Sequence, residues 1–415
     1  MEQFPTSVLV ANRGEIARRV IRTAKRLGIR TVAVHHAIDA GLPFVAEADQ
    51  AVELAAETPV KAYLDADQII AAARATGAEA IHPGYGFLSE NGEFARAVSD
   101  AGMLWVGPSP AAIEQMGDKV TSRNVVAAAG VPVSGGAGDA LADADEAAAA
   151  AARVGYPVMV KASGGGGGIG MAVAHDEAGV RKAFDSTQSM AQRSFGSNRV
   201  FVERFVANAR HVEVQILGLS DGTIVTLGER DCSTQRRHQK LVEESPAPGL
   251  DPRVEARMLE AATKAASAVG YRNAGTVEFL LDTLTGDFVF LEMNTRIQVE
   301  HPVTELVHGV DLVEQQLSIA KTGGVTADFA PEPSGHAIEI RVCAEDPVRF
   351  FPSPGPIDDW FEPTGPGVRV DSGYRAGSEV TPYFDPMIAK ICAHGANREE
   401  AVARAHAALS DFVCG

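Results

Sequence analysis

One short segment, residues 292–300 with the sequence EMNTRIQVE, carries the side chains best suited to chemistry. Its polar and apolar residues alternate, so an extended segment would place all the polar side chains on one face. The residues of that face are Glu292, Asn294, Arg296, Gln298 and Glu300. The opposite face, anchored in the core, would carry Met293, Ile297 and Val299. Carboxylate and amide oxygens bind Mg²⁺, and a guanidinium binds anions. A solvated strand face would explain the alternation but not why these residue types occur together.

The residues before this segment add a second carboxylate to the same place. Residues 276–294 read as a β-hairpin with its turn at residues 284–286, and a centre at Thr285 puts Glu278 opposite Glu292. Like charges that face each other on neighbouring strands destabilise a sheet. A divalent metal or a raised pKa would remove the repulsion. We favour the metal, because Asn294 supplies a further oxygen on that face.

Hydrogen-bond donors are concentrated in residues 229–240, ERDCSTQRRHQK, which we predict to form a loop. The donors are Gln235, Arg236, Arg237, His238 and Lys240. A basic run is usually a solvated turn. In a chain with a formal net charge of −17, however, this densest cationic segment favours an anionic substrate. His211 lies on the polar face of another strand, and Cys232 is more typical of a small packed residue than of a nucleophile.

Glycines crowd residues 164–168 and 170, just after a strand that carries Lys161 near its end. The spacing satisfies GxGxxG, but a strand follows where a dinucleotide-binding fold needs a helix, and the P-loop order is absent. We predict a hairpin tip whose N–H groups close over phosphates, with a plain linker as the alternative. The glycine-punctuated residues 82–87 follow a strand, where parallel-sheet proteins place ligand contacts, although a plain turn gives the same pattern.

Composition excludes several classes of protein. The negative charge argues against nucleic acid as a partner, because such a surface needs clustered cations. Four cysteines without a CxxC pair argue against a disulfide framework and against a cysteine zinc site. The N-terminus does not resemble a signal peptide, and no apolar run approaches the roughly 18 residues of a membrane span. We therefore expect a cytoplasmic protein with neither membrane nor nucleic-acid partners.

The order of the predicted elements divides the chain into four parts. Short apolar strands alternate with helices in residues 1–106, which predicts an α/β domain with a parallel sheet covered on both faces. A Gly-Pro-Ser-Pro break at residues 107–110 starts a stretch of linker helices that ends near residue 133. Residues 134–205 are expected to form a small separate α/β unit. Residues 206–415 alternate at period two and predict an α+β domain around antiparallel strands.

Taken together, the motifs resemble those of one family, the biotin carboxylase component of biotin-dependent carboxylases. In family order they are ANRGEIA, HPGYGFLSEN, MGDK, KASGGGGGIGM, RHVEVQ, ERDCSTQRRHQK and EMNTRIQVEHPVTE. The resemblance implies an ATP-grasp fold with an N-terminal parallel-sheet domain, a small mobile lid and a larger C-terminal antiparallel-sheet domain. It implies a ligase that carboxylates biotin with bicarbonate and ATP, through carboxyphosphate and with Mg²⁺ or Mn²⁺.

The resemblance also implies a role for individual residues. Those similar to the nucleotide contacts are Lys119, Lys161, Gly167, Gly168, Glu203, Arg204, Phe205, Val206, His211, Gln235 and His238. Those that match the metal ligands are Glu278, Glu292 and Asn294. The bicarbonate and biotin site would comprise Tyr85, Lys240, Arg296, Gln298, Val299, Glu300 and Arg341. In the family's reaction Glu300 is the implied general base and Arg341 stabilises the biotin enolate, with Lys240 and Arg296 as further catalytic groups.

The sequence departs from the family's pattern in three ways. Ile169 stands in the glycine loop where many members carry Arg or Lys, which removes a cation near the phosphates. The last strands of the family's domain are expected to be missing or supplied elsewhere. No Ala-Met-Lys-Met segment occurs, so biotin is expected on a biotin carboxyl carrier protein or domain. The other implied partners are further copies of this chain, in a homo-oligomer, and a carboxyltransferase subunit.

Two alternatives stay open at this level. Another ATP-grasp ligase, such as a carbamoyl-phosphate synthetase half, would share the metal carboxylates but is expected to lack the joint presence of residues 82–91, QRRHQK and Arg341. A non-catalytic or regulatory subunit of a carboxylase complex is expected to have lost a metal ligand or Glu300, and the sequence keeps them. The acyl-CoA acceptor would be chosen by the carboxyltransferase and is not encoded in these motifs.

Overall fold

The computed structural model describes residues 3–135, 141–162, 170–196 and 198–415. The first part is a parallel sheet of order β3-β2-β1-β4-β5, as predicted. Its strands are β1 (Ser7–Val10), β2 (Arg30–His35), β3 (Gln50–Glu53), β4 (Ala80–His82) and β5 (Leu104–Trp105). Its helices are α1 (Gly14–Arg26), α2 (Pro43–Glu47), α3 (Pro59–Tyr63), α4 (Ala66–Thr76) and α5 (Gly92–Asp100).

Helices cover this sheet on both faces, which explains why its central strand β1 is buried along its whole length. Val8 and Val10 of β1 pack in one core with Ile16 and Val20 of α1. Leu9, between them, belongs to a second core formed with α4 and α5. The alternation along β1 therefore divides its side chains between two layers of helices, and both layers exclude water.

Two helices, α6 (Pro110–Gly117) and α7 (Lys119–Ala128), follow the predicted break and lead to a three-stranded antiparallel sheet of order β7-β6-β8. This unit contains α8 (Ala144–Val154), β6 (Val158–Ala162), β7 (Met171–Ala174), α9 (Glu177–Phe195) and β8 (Val200–Arg204). The two strands predicted on either side of the glycines are β6 and β7, whereas the long helix α9 was not predicted. Gly167, Gly168 and Ile169 lie outside the described residues, so the predicted glycine tip stays a prediction.

The rest of the chain is built around an eight-stranded sheet of order β13-β12-β9-β10-β11-β14-β19-β17. Its strands are β9 (Ala209–Gly218), β10 (Ile224–Arg236), β11 (Gln239–Ser245), β12 (Asn273–Asp282), β13 (Phe288–Asn294), β14 (His336–Cys343), β17 (Val368–Ser372) and β19 (Met387–Gly395). Short strand pairs are formed by β15 (Gly355–Pro356), β16 (Trp360–Phe361), β18 (Glu379–Val380) and β20 (Val413–Cys414). The helices are α10 (Pro252–Ala268), α11 (His301–His308), α12 (Leu312–Thr322) and α13 (Arg398–Asp411). Among the described helices, none has the length and apolar character needed to cross a membrane.

The alternation along β9 shows how this sheet acquires a polar face. Val212, Val214 and Ile216 are buried in a core with residues of α10. His211, Glu213 and Gln215, at the intervening positions, project to the other face. That face carries buried acids and bases, and the hydrogen bonds among them offset the cost of removing them from water.

Two predictions of local structure are wrong. Residues 229–240 are not a loop: β10 and β11 pair as a hairpin, and the turn places Arg237 and His238 at φ of 52° and 67°. The many charged residues made a solvated loop the expected structure. They are accommodated in strands because their ionic partners lie on other strands of the sheet. Residues 292–300 are not extended throughout either: β13 ends at Asn294, and the chain then turns into α11. The turn, not strand alternation, brings Gln298 and Glu300 toward Asn294.

A buried histidine joins the parallel sheet to α12 and predicts a dependence of stability on pH. His82 ends β4 with no exposed surface, its Nε2 donates to Gln316 Oε1 at 3.1 Å, and its Nδ1 accepts the Gly84 N–H at 3.0 Å. Burial lowers the pKa of His82 to about 4. Because the unfolded chain binds this proton near pH 6.5, stability should fall by about 2 kcal/mol from pH 7 to pH 5 on account of this residue. Urea unfolding at both pH values measures this effect. Between pH 7 and pH 5, the free energy of unfolding of His82→Gln should fall by about 2 kcal/mol less than that of the parent. The control His406→Gln, which replaces an exposed histidine, should lose as much stability as the parent.

Candidate active site

A cleft of about 550 Å³ is lined by nearly all the site residues that were predicted from the sequence. Those that line it are Lys119, Lys161, Glu203, Arg204, Phe205, Val206, His211, Gln235, His238, Lys240, Glu278, Glu292, Asn294, Arg296, Gln298, Val299, Glu300 and Arg341. Tyr85 lines a neighbouring cavity. Gly167 and Gly168 lie outside the described residues. Residues separated by more than 200 positions in the sequence thus share one surface.

The predicted pairing of the two hairpin carboxylates is confirmed, because Glu278 of β12 lies directly opposite Glu292 of β13. Glu278 is buried and accepts hydrogen bonds from Lys240 at 3.1 Å and from Asn294 and Gln298 at 2.8 Å each. Burial raises the pKa of this carboxyl, but the Lys240 ammonium and His211 outweigh burial and hold the pKa well below its usual range. Glu278 is therefore ionised at neutral pH.

The opposing carboxylate is more open. The Glu292 side chain is 35% exposed, and one of its oxygens lies 3.4 Å from the Lys119 ammonium. With Asn294 two residues along β13, Glu278 and Glu292 offer a donor set composed of hard oxygens, which is the chemistry that Mg²⁺ and Mn²⁺ prefer. The residues present therefore fit a divalent cation, and the ion would also remove the repulsion between the two paired carboxylates.

His211 is held between a donor and an acceptor. Gln235 Nε2 donates to His211 Nδ1 at 2.9 Å. The other ring nitrogen, Nε2, therefore carries hydrogen and donates to Glu278 at 2.7 Å. The chain Gln235–His211–Glu278 fixes the orientation of the buried carboxylate from the side that faces the predicted nucleotide residues.

Lys240 is the central cation of the cleft. Its ammonium donates to Glu213 at 2.7 Å, to Glu278 at 3.1 Å and to Glu300 at 2.6 Å. Burial lowers the pKa of Lys240, but the acidic groups around it, including Cys232 and these carboxylates, raise the pKa well above its usual range. Lys240 is therefore charged, and it connects Glu278 with Glu300.

Glu300 occupies the N-cap position of α11, but it does not act as a cap. Its carboxylate instead accepts from Lys240 and, at 3.1 Å, from Arg341 Nη2. Burial raises the pKa of Glu300, whereas Lys240, Arg341 and Arg230 lower it, and the balance leaves the pKa below its usual range. The side chain is thus an ionised acceptor that points into the cleft.

Arg341 joins Glu300 to a second buried acid. Its Nε donates to Glu243 Oε1 at 2.7 Å, from β14 to β11. Burial raises the pKa of Glu243 to about 7, although Arg341 opposes this shift. Arg296, which also lines the cleft, donates to Glu90 at 2.9 Å and to Asn294 at 3.0 Å, so Arg341 and Arg296 are each held by a carboxylate.

These residues rest on a buried arginine, Arg230, that was not predicted from the sequence. Arg230 has no exposed surface and donates to Glu213 at 2.6 Å and to Gln298 at 2.7 Å. It also donates to the side chains of Gln215, Thr276 and Thr304. Part of this support could have been predicted, because Glu213 and Gln215 lie two and four residues after His211 in β9 and therefore share its face.

Apolar side chains that were not predicted from the sequence also line the cleft. They are Met159, Met171, Leu280 and Leu291. Met159 shares the face of Lys161 in β6, and Leu280 shares the face of Glu278 in β12. Both could have been predicted, because residues two apart in a strand lie on the same face. Lys161 itself forms an ion pair with Glu203 of β8. Such walls with a few charged groups are typical of a ligand pocket.

A second cavity of about 420 Å³ adjoins the cleft, and Gln239, Val299 and Arg341 line both. Tyr85 lies in this cavity, and its hydroxyl donates to Glu15 at the start of α1. Val299 is half-buried and faces both spaces, so the prediction that it anchors the core is wrong. The physical reason is the end of β13 at Asn294, after which strand parity no longer applies.

The loop that carries Tyr85 is held by one amide, which gives a testable consequence. Asn12 Nδ2 donates to Pro83 O at 2.7 Å and to Tyr85 O at 2.8 Å. Gly84 between them has a φ of +64°, and a Cβ there would lie 2.8 Å from Asn12 Nδ2. Gly84→Ala should therefore displace Tyr85 and destabilise the fold by about 2 kcal/mol, through strain and the lost hydrogen bonds.

Gly86 provides the matched control for this variant. Its φ is +70°, close to that of Gly84, but a Cβ there would meet open space. Gly86→Ala should show only the cost of the left-handed backbone, about 1 kcal/mol. Urea unfolding measures both variants, and equal losses of stability in the two would contradict the role given to Asn12.

Comparison with protein families matches three consecutive parts of the chain. Residues 5–113 match the biotin carboxylase N-terminal domain, and residues 339–415 match the biotin carboxylase C-terminal domain. Residues 118–326 match the family described as carbamoyl-phosphate synthase L chain, ATP binding domain. The outer two matches therefore set this chain apart from a carbamoyl-phosphate synthetase half.

Curated relatives agree over nearly the whole length. Biotin carboxylase 2 of Bacillus subtilis is 47% identical over 410 residues, which cover 98% of this chain and 92% of the relative. The biotin-dependent acyl-coenzyme A carboxylase alpha3 subunit of Mycobacterium leprae is 49% identical over 406 residues, which cover 98% of this chain and 68% of that one. The relatives thus include both a biotin carboxylase and a longer chain of an acyl-coenzyme A carboxylase.

Solved structures show the same fold. A biotin carboxylase–β,γ-ATP complex from Campylobacter jejuni has a TM-score of 0.96 at 42% identity, covering 100% of this chain and 92% of that chain. The biotin carboxylase domain of Hydrogenobacter thermophilus 2-oxoglutarate carboxylase, in complex with MgADP, ADP and bicarbonate, has a TM-score of 0.95 at 43% identity, covering 100% and 91%. The predicted ATP-grasp architecture is therefore confirmed, and the chain belongs to the biotin carboxylase family.

Proposed function

We propose that this chain carboxylates biotin with bicarbonate and ATP, the first half-reaction of a biotin-dependent carboxylase. The observation that carries the proposal is the contact of one cation, Lys240, with both a metal-type carboxylate, Glu278, and a carboxylate beside an arginine, Glu300. A phosphoryl group and a bicarbonate can therefore be bound next to each other. Adjacent binding is what the transfer of a phosphoryl group to bicarbonate requires.

The nucleotide belongs to the part of the cleft nearest the three-stranded unit. Met159, Leu280 and residues 203–206 would contact the purine, and Lys119, Lys161 and His238 would attract the phosphates. The glycines 167 and 168 would add N–H donors. We infer that residues 134–205 act as a lid over the nucleotide, since the phosphate-binding lysine lies on its strand β6.

The metal would be held by Glu278, Glu292 and Asn294. When bound, Mg²⁺ or Mn²⁺ supplies positive charge that offsets the charge of the phosphates. The protein's own contribution is to keep Glu278 ionised and fixed in place. His211, Lys240 and Gln298 do this through hydrogen bonds of 2.7–3.1 Å.

Bicarbonate would enter between Lys240, Arg296, Gln298 and Val299, with Glu300 as its base. In the structure Glu300 is ionised and paired with Lys240 and Arg341. A bicarbonate that accepts from these cations weakens their hold on the carboxylate, so its pKa rises toward a value suited to accepting a proton. An oxygen of the resulting carbonate forms a bond to the γ-phosphorus while the bond from that phosphorus to the bridging oxygen of ADP breaks, so carboxyphosphate forms, ADP leaves and the proton stays on Glu300.

Biotin would occupy the adjoining cavity, where Arg341 and Tyr85 meet. Arg341 faces both spaces and can stabilise the enolate that forms when the ureido group loses its proton. We further propose that biotin arrives on a biotin carboxyl carrier protein or domain, that a carboxyltransferase subunit uses the product, and that the chain forms a homo-oligomer. The relatives that are named as chains of acyl-coenzyme A and propionyl-CoA carboxylases support the first two proposals.

The test measures release of ADP by purified protein with MgATP, with and without bicarbonate and free biotin. ADP release should require bicarbonate and should rise with biotin. Equal release with and without bicarbonate would refute bicarbonate as the phosphoryl acceptor. Bicarbonate-dependent release without formation of carboxybiotin would point to another acceptor and refute the assignment of the second cavity.

A further inference from the structure

Lys390 is a buried cation that neither the motifs nor the proposed chemistry uses. It lies on β19 with no exposed surface, directly opposite Arg341 of β14 and opposite Asp371 of β17. Its ammonium donates to the backbone carbonyl of Val299, and Glu15 Oε1 lies 3.5 Å from it. A fully buried ammonium group is costly unless it is paired and hydrogen-bonded, so these two contacts account for its presence.

One contact of Lys390 reaches the biotin side of the site. Glu15, at the start of α1, is buried and accepts a hydrogen bond from the Tyr85 hydroxyl through the same oxygen that faces Lys390. Tyr85 lines the second cavity. The position of Tyr85 is thus set jointly by Asn12, which holds its backbone, and by Glu15, which Lys390 neutralises.

The other contact reaches the proposed base. Val299 directly precedes Glu300, which occupies the N-cap position of α11 but turns its carboxylate toward Lys240 and Arg341. Because the side chain that would normally fix this helix start is used elsewhere, the turn must be held by other groups. Lys390 holds the Val299 carbonyl, and His301 Nδ1 donates to the Gln298 carbonyl at 2.7 Å.

We propose that Lys390 is a positioning residue for carboxyl transfer. Its ammonium fixes the position of Val299 relative to the Glu15–Tyr85 pair, so that Glu300 faces the wall of the second cavity that carries Tyr85. The inference rests on the proposed function and adds a residue to it. Lys390 acts only through Val299, Glu15 and Tyr85.

The charges around Lys390 show why an apolar residue would not serve. Burial lowers the pKa of Lys390, but the charges of Glu15, Glu339 and Asp371 raise it above its usual value. Of these three acids, Asp371 has its own cation in Arg369. Burial raises the pKa of Glu15 and Lys390 opposes that rise, so without Lys390 this buried carboxyl group would lose its counter-ion and would become protonated or move. Either response changes the acceptor that Tyr85 uses. The Val299 carbonyl would lose its donor at the same time.

The test compares Lys390→Met, Glu15→Gln and the double variant with the parent full-length protein. Methionine preserves the volume of the lysine stem, and glutamine keeps an acceptor for Tyr85. We expect Lys390→Met to lower kcat/KM for free biotin about 100-fold and to leave KM for ATP within about threefold, since displacement of reacting groups by about 1 Å has effects of this size. Its Tm should also fall, because Glu15 is left uncompensated.

The double variant separates positioning from stability. Removing the Glu15 charge should restore part of the lost Tm, although the Val299 carbonyl still lacks its donor, while kcat/KM for biotin should stay far below that of Glu15→Gln alone. If biotin kinetics recover together with the Tm, Lys390 is merely structural and the inference is wrong. Parent-like biotin kinetics in Lys390→Met would also overturn it. If instead the parent protein shows no biotin-dependent turnover, the proposed function itself fails, and this inference with it.

Discussion

Replacement of Glu300 by glutamine should lower the rate of biotin carboxylation by about 10³-fold, within the range for loss of a general base. Glutamine keeps the size and the acceptor oxygen but cannot take a proton from bicarbonate. The variant should fold, because Lys240 retains Glu213 and Glu278 as partners and Arg341 retains Glu243. Carboxybiotin formation under saturating ATP and bicarbonate measures the loss.

Glu399→Gln is a matched control for this prediction. Glu399 lies in the first turn of α13, near the start of a helix as Glu300 is, but its side chain is exposed. The control should carboxylate biotin at the parent rate. A Glu300→Gln variant that keeps more than about a tenth of the parent rate would show that another group accepts the proton.

Replacement of Glu278 by glutamine should have an effect of similar size on metal-dependent turnover, about 10³-fold. The variant removes the buried carboxylate of the proposed metal site and weakens the pairing of Lys240 and His211. Glu292→Gln should also abolish turnover, but it should leave the fold intact, because Glu292 is partly exposed and its contact, Lys119, lies 3.4 Å away. Without metal, Glu292→Gln should even stabilise the protein by several tenths of a kcal/mol, because it removes one of the two opposed charges.

Binding of Mn²⁺ in the presence of ADP, followed by electron paramagnetic resonance, gives a readout separate from activity. Both variants should bind Mn²⁺ at least 10-fold more weakly than the parent. Asp282→Asn is the control, since Asp282 lies on the same strand as Glu278 and uses its carboxylate to accept the Leu284 N–H, which asparagine can also do. Parent-like Mn²⁺ binding in Glu278→Gln would show that the metal lies elsewhere.

The hairpin register could be predicted because it depends on short-range information. Counting from Thr285 was enough to pair Glu278 with Glu292, and the structure has that pair even though a bulge interrupts the ladder just after it. The path of residues 295–300 depends instead on packing against distant elements. Pro302 in the first turn of α11 was the available signal, because proline is common at helix starts.

The buried charges could not be predicted, for a different reason. Arg230 lies in a run that reads as a solvated loop, yet its five side-chain partners come from other parts of the eight-stranded sheet and from the segment that leads into and forms α11. Whether a charged side chain is solvated or buried depends on partners that only the fold supplies. Lys390 and Glu15 escaped notice in the same way, since one is near the end of the chain and the other near its start.

The proposed reaction requires that bicarbonate itself receives the phosphoryl group of ATP in this cleft. Turnover with ¹⁸O-labelled bicarbonate, MgATP and free biotin, followed by mass spectrometry of the released phosphate, tests it directly. If a bicarbonate oxygen attacks the γ-phosphoryl group, each phosphate released in biotin carboxylation should carry one labelled oxygen. Unlabelled phosphate, which takes its fourth oxygen from solvent while the label remains in bicarbonate, would contradict the account.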